Sequence, residues 1–163
     1  MDVKTTEELR ASYRPNMIRV LFVGESAPMG GTFFYEANSN LYRGMMEILA
    51  PTVGTAPSFL ASFKRAGCYL DDLVLHPINT HSQAERKRQH LENVPALAER
   101  LVSYRPGTIV SVLKAIQHPV EEAARLASLT CPVHAVSFPG NRRQADFRRE
   151  MTALLPQLGL NRP

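Results

Sequence analysis

The run MIRVLFVG, from Met17 to Gly24, is nearly continuous in apolar residues and closes on a glycine. Such a run predicts a strand buried on both faces, as in a parallel sheet. Ahead of it, Thr5 to Tyr13 reads as a short helix, with Thr5 or Thr6 as its cap and Pro15 as its stop. Two helices follow. NLYRGMMEILA starts near Asn38 or Ser39 and stops at Pro51, and SFLASFKRAG has Ser58 as cap, Phe59, Leu60 and Phe63 on one face, and Gly67 at its end. CYLDDLVLHPIN (68–79) reads as a strand interrupted by two aspartates. The stretch from Ser82 to Gly107 is polar at first and then helical, with Leu97, Leu101 and Tyr104 at three- and four-residue steps. TIVSVL (108–113) predicts a strand, and PVEEAARLASL a helix with Pro119 in its first turn. CPVHAVSFPGN is the last strand and its exit loop, and RRQADFRREMTALLPQL is a basic terminal helix.

This alternation predicts an α/β fold: three α/β/α layers around a mostly parallel sheet of four strands, in a single domain over 1–163. Ligands of such sheets bind beyond the carboxyl ends of the strands. The loops that matter are then Gly24 to Asn38, Asp71 to Asn79, Leu113 to His118, and Phe138 to Arg143.

Composition changes this picture little. Of the 163 residues, 44% are apolar and 21% charged, ordinary values for a globular chain. Lys and Arg number 19 against 15 acidic residues, and the net charge of +4 suits an anionic partner without requiring one. Two cysteines, Cys68 and Cys131, make neither a disulfide framework nor a zinc site, so a reducing cytoplasm and a chain without metal or cofactor are expected. No stretch reaches the roughly 18 apolar residues of a membrane span, and the first residues lack an apolar signal core.

The glycine-rich loop after the first strand is not a phosphate cradle, because Thr32-Phe33 follow Gly31 where a P-loop has Lys-Ser/Thr. Phe33 and Phe34 are either core residues or, on a strand-exit loop, one core ring and one ring facing the crevice on which a planar ligand stacks. Asp71 and Asp72, at a buried strand end, need hydrogen bonds, whether as loop braces or as ligand contacts. His76, His81, His90, His118 and His134 have no metal-ligand spacing and read as structural or exposed. Arg86-Lys87-Arg88 reads as a solvated face. Arg142-Arg143 through Arg148-Arg149 does too, but it follows directly on a crevice loop, where phosphate contacts would fall.

Together these segments resemble the uracil-DNA glycosylase superfamily. VGESAP...GTFFY is similar to its opening motif, a Gly then Glu or Gln after the first strand followed by the aromatic that stacks on the base, and NSNLYR continues it with the spacing of the microbial Gly-Glu branch. CYLDDLVLHPIN falls where the base-reading strand falls, RPGTIVSVLKAI resembles the third-strand region, and VSFPGNRRQADFR takes the place of the closing His-Pro-Ser loop. The likeness spans Met17 to about Arg149.

The resemblance implies a glycosylase that extrudes a nucleotide, stacks and reads its base, and assists the base's departure while water attacks the sugar. Phe34 would be the stacking ring, with Phe33 the alternate; Glu25 would line the pocket and polarise water; Ser26 would hold the place of a water-orienting aspartate. Asp72, or less so Asp71, stands where an asparagine reads uracil, and an ionised aspartate only accepts, so an amine-bearing base edge is favoured. Phe138 stands where a histidine donates to the leaving base, with Asn141 a possible substitute, and Arg142 and Arg143 would meet DNA phosphates. The implied partners are DNA and a nucleobase, held by a monomer without an iron–sulfur cluster, since that branch needs four cysteines. The alternatives are a non-catalytic DNA- or base-binding module and an enzyme for a small planar nucleoside.

Overall fold

The computed structural model describes residues 3–160. Strands β1 (Val20–Gly24), β2 (Cys68–Asp72), β3 (Thr108–Ser111) and β4 (Val133–Ala135) form one all-parallel sheet in the order β2-β1-β3-β4. All five residues of β1 are buried, as its unbroken apolar pattern requires of a central parallel strand. Helices α1 (Val3–Ser12), α2 (Asn40–Val53), α3 (Phe59–Arg65), α4 (Gln83–Glu92), α5 (Val94–Tyr104), α6 (Gln117–Leu126) and α7 (Gln144–Leu154) surround it.

Successive strand residues point to opposite faces, and this sorts the helices into layers. The Phe22 ring stacks on Phe63 of α3, which packs with α2 and α7 on that face. One residue on in register, Asp71 of β2 points the other way and meets Arg100 and Tyr104 of α5, which packs against α4 and α6. The fold is therefore three-layer α/β/α.

As the outer strand, β2 has exposed backbone groups at Leu70 that a neighbouring strand would otherwise satisfy. The buried Tyr35 hydroxyl donates to Leu70 O at 3.0 Å and accepts from Leu70 N–H at 2.7 Å, and Arg10 Nη1 of α1 donates to the same carbonyl at 3.1 Å. Stacking of Tyr13 on Tyr35 completes the cover.

Several boundaries differ from the sequence reading. Helix α1 starts at Val3, so Thr5 and Thr6 lie within it rather than capping it. Pro51 does not stop α2, which runs on to Val53: proline this near the end removes one hydrogen bond only, and Gly54 N–H bonds Ala50 O at 2.8 Å to close the last turn. The strand from Cys68 ends at Asp72 because Leu73 and Val74 turn to donate to Gly24 O and Glu25 O. The polar stretch from Ser82 is itself helix α4, and the terminal helix ends at Leu154, followed by a 3-10 turn at Leu155–Gln157. Ser39 and Ser58 do cap α2 and α3, accepting from Tyr42 and Ala61 N–H. No helix among the described residues is long and apolar enough to cross a membrane.

Candidate functional site

From β1 the chain moves outward to β2 through α2 and α3 on one face, then back past β1 to β3 through α4 and α5 on the other. The loops leaving β1 and β3 thus part at the carboxyl edge of the sheet and leave a crevice between them. A cleft of about 770 Å³ opens there, walled by the exits of all four strands. Its lining includes Glu25, Ser26, Phe33 and Phe34 from the first loop, Asp72 from β2, and Phe138, Asn141 and Arg143 from the loop after β4. Asp71 and Arg142 do not line it.

Glu25 directly follows β1, where the buried strand fixes its backbone. Two residues of α4 hold its carboxylate: Arg86 donates from Nη2 to Oε1 at 2.6 Å and from Nε to Oε2 at 3.2 Å, and His90 Nε2 lies 2.7 Å from Oε2. Burial, the largest influence, pushes the Glu25 carboxyl up, but the hydrogen bonds from His90 and Arg86 and the Arg86 charge outweigh it and hold it below the ordinary carboxylate range. The group is an anion at neutral pH. A carboxylate oxygen accepts about two hydrogen bonds, so Oε2 is filled and Oε1 keeps one position for a water or a ligand N–H.

Asp72 presents the second carboxylate. Its Oδ2 accepts from Arg10 Nη2 at 2.9 Å, and Arg10 also lies over the Phe33 ring at 5.2 Å. Asp72 Oδ1 lies over Gly24, so close that a Cβ there would stand 2.5 Å away and would have to displace the Asp72 carboxylate. Burial dominates and raises the Asp72 carboxyl above its usual value, against the pull of Arg10. Asp71 has no such opening: Oδ2 takes Arg100 Nε at 2.8 Å and the Tyr104 hydroxyl at 2.9 Å, and Oδ1 takes Asp72 N–H at 2.8 Å. Asp71 is thus a brace between β2 and α5. Burial together with the Asp71 charge pushes the Tyr104 hydroxyl up.

Both phenylalanines of the first loop are buried and both reach the cleft, so the pair does not divide into one core ring and one crevice ring. Phe34 is fixed edge-on against Tyr35 and Tyr42 and tilted against Phe63, which gives the cleft a rigid aromatic wall. Phe138 faces it half-buried, packed on Gly140, where a Cβ would meet the ring at 2.9 Å. At the rim, Lys114 Nζ approaches Glu150 at 3.6 Å, and Arg143 Nη1 bonds Asp146 at 3.2 Å.

Comparison with known proteins adds no identity. No family model and no curated protein matches this chain. The site therefore has to be read from its own geometry. Arg86 and His90 are what the sequence reading passed over: one was assigned to a solvated face, the other to a structural or exposed role. A signal was present, since Ser82-Gln83-Ala84-Glu85 has the form of a capping box, and Ser82 Oγ does accept Glu85 N–H at 3.2 Å. A helix from Ser82 puts residues 86 and 90 on one face. Arg10 carried no comparable signal, because nothing in TTEELRASYR marks a fully buried arginine.

Proposed function

We propose that this chain takes a nucleobase extruded from DNA into the cleft and hydrolyses its N-glycosidic bond, as a divergent relative of the uracil-DNA glycosylases. The observation that carries the reading is the anionic Glu25, clamped by α4 in the cleft that also holds Phe34 and Asp72. A flat base stacks against the aromatic wall, its edge meets Asp72, and its sugar lies toward the mouth. As the C1′–N bond lengthens, positive charge grows on the sugar, and a fixed carboxylate beside it stabilises that charge without reorganising. The open position on Glu25 Oε1 orients a water for attack. With its carboxyl held low, Glu25 acts through charge and orientation more than by taking up a proton. In this reading Arg143 at the rim and Arg142 beside it meet the DNA phosphates.

One observation favours a second reading, a non-catalytic module that binds an extruded base. Phe138 offers no donor to a departing base anion, and loss of one such donor costs about a hundredfold or more in rate. Oligonucleotides carrying uracil, hypoxanthine, xanthine, or mismatched thymine or cytosine, incubated with wild type and Glu25→Gln and then treated with alkali, separate the two. Strand breaks made by wild type and lost in the variant establish the enzyme. Salt-sensitive binding with no break at enzyme excess establishes the module.

A further inference from the structure

We propose that the base this cleft is built to release is an N-alkylated one that carries positive charge while attached to its sugar. The inference rests on the reading above and names its substrate class. Its first ground is what the cleft turns toward a ligand. Glu25 Oε1 and Asp72 Oδ1 each keep an acceptor position open, and an ionised carboxylate offers a ligand no donor. The arginine that balances Asp72 is 2% exposed and does not line the cleft, so a ligand meets the oxygen and not the guanidinium. Arg86, Lys114 and Arg143 do line the cleft, but Arg86 is bound to Glu25 through both Nε and Nη2, and at the rim Lys114 faces Glu150 and Arg143 bonds Asp146. The half-buried Phe138 ring and the Phe34 wall supply aromatic surface, which attracts a flat cation more strongly than a neutral base of the same shape.

The second ground is the leaving group. A neutral base departs as an anion and draws on a hydrogen-bond donor as it leaves. An N-alkylated base has no such need. Water oxygen bonds to C1′, the C1′–N bond breaks, and its electron pair passes to the ring nitrogen and cancels the positive charge there. The base leaves neutral, and the proton from the attacking water, which Glu25 Oε1 orients, passes to solvent. Two carboxylates and two aromatic faces in one cleft fit this substrate class.

The test is to incubate wild type with methylated duplex DNA and with a uracil-containing duplex, and to separate the released bases chromatographically. Release of 7-methylguanine or 3-methyladenine at least about tenfold faster than uracil supports the inference, and Asp72→Asn should shrink that ratio. Release of uracil or another neutral base without methylated purines overturns it while leaving the glycosylase reading intact. If no base is released at all, the glycosylase reading fails. Calorimetry with 7-methylguanosine and guanosine at mildly acidic pH then decides: roughly tenfold tighter binding of the cation retains charge recognition, and equal binding removes it. Because Asp72→Asn breaks the pair with Arg10, its melting curve is recorded alongside, and the wild-type nucleoside comparison needs no variant.

Discussion

At the scale of single residues, Glu25 and Asp72 differ in how their surroundings treat a proton, and the difference has opposite signs. Burial raises the Glu25 carboxyl, but His90 and Arg86 outweigh burial and leave it low. The folded chain thus binds this proton less tightly than the unfolded chain. Its contribution to stability is complete above the ordinary carboxyl pKa and is lost as pH falls through the lowered folded value. Urea midpoints across acidic pH should fall more steeply for wild type than for Glu25→Gln, and parallel profiles would show that α4 does not clamp the carboxylate. For Asp72, burial prevails over Arg10 and the carboxyl is raised, so the folded state holds the proton more tightly. Stability then decreases as pH rises from the ordinary aspartate value through the raised one, and Asp72→Asn should remove that slope. The same logic reaches activity. His90→Ala deletes a hydrogen bond that favours the Glu25 anion, so the acid limb of the rate profile should move to higher pH while the alkaline side stays in place.

At the scale of elements, the cleft depends on contacts that lie outside it. Helix α1 reaches the site through Arg10, whose guanidinium joins Asp72, the Leu70 carbonyl and the Phe33 ring. Arg10→Met leaves Asp72 buried without its partner and should cost about 3–5 kcal/mol in denaturant unfolding. Tyr35→Phe removes both bonds to Leu70 and should cost about 1–3 kcal/mol while leaving the cleft lining unchanged. On the far side, Gly44 of α2 lets α7 and the Pro139 loop approach: a Cβ there would meet Phe147 at 3.0 Å and Pro139 at 3.1 Å. Gly44→Val should push that loop, and Phe138 with it, away from the cleft. Weakened base binding with only about 1–3 kcal/mol of lost stability is the expected result.

At the scale of the whole molecule, the net charge of +4 matters by where it falls. Many surface arginines are paired within their own helix, as Arg88 is with Glu85 and Arg125 with Glu122, and such pairs add little to the outward field. In the loop entering α7, Arg143 lines the cleft but is likewise paired, with Asp146 at 3.2 Å, while its neighbour Arg142 stands outside the lining, and Asn141 and Arg142 are both in left-handed backbone conformation. Affinity for duplex DNA should fall linearly with salt on logarithmic axes, and replacing either arginine by alanine should reduce the slope by about one. An unchanged slope would place the DNA elsewhere.

Much of this architecture is legible in the sequence. The apolar run at Val20–Gly24, the serines ahead of Asn40 and Phe59, and the alternation of elements are local signals, and local sterics and hydrogen bonding were enough to turn them into a parallel α/β sheet with its loops at one edge. Glu25, Phe34 and Asp72 were legible for the same reason, since each stands within two residues of a strand end or in the loop that a strand sets. What only the tertiary structure decided was pairing between distant segments. Arg10 and Asp72 are 62 residues apart, and His90 and Glu25 are 65 apart. Asp71 and Asp72 are identical and adjacent, yet one is spent on α5 and the other opens on the cleft. Strand alternation requires that the two face opposite sides, but which side holds the cleft depends on where the chain crosses over the sheet, and that is a property of the packed whole.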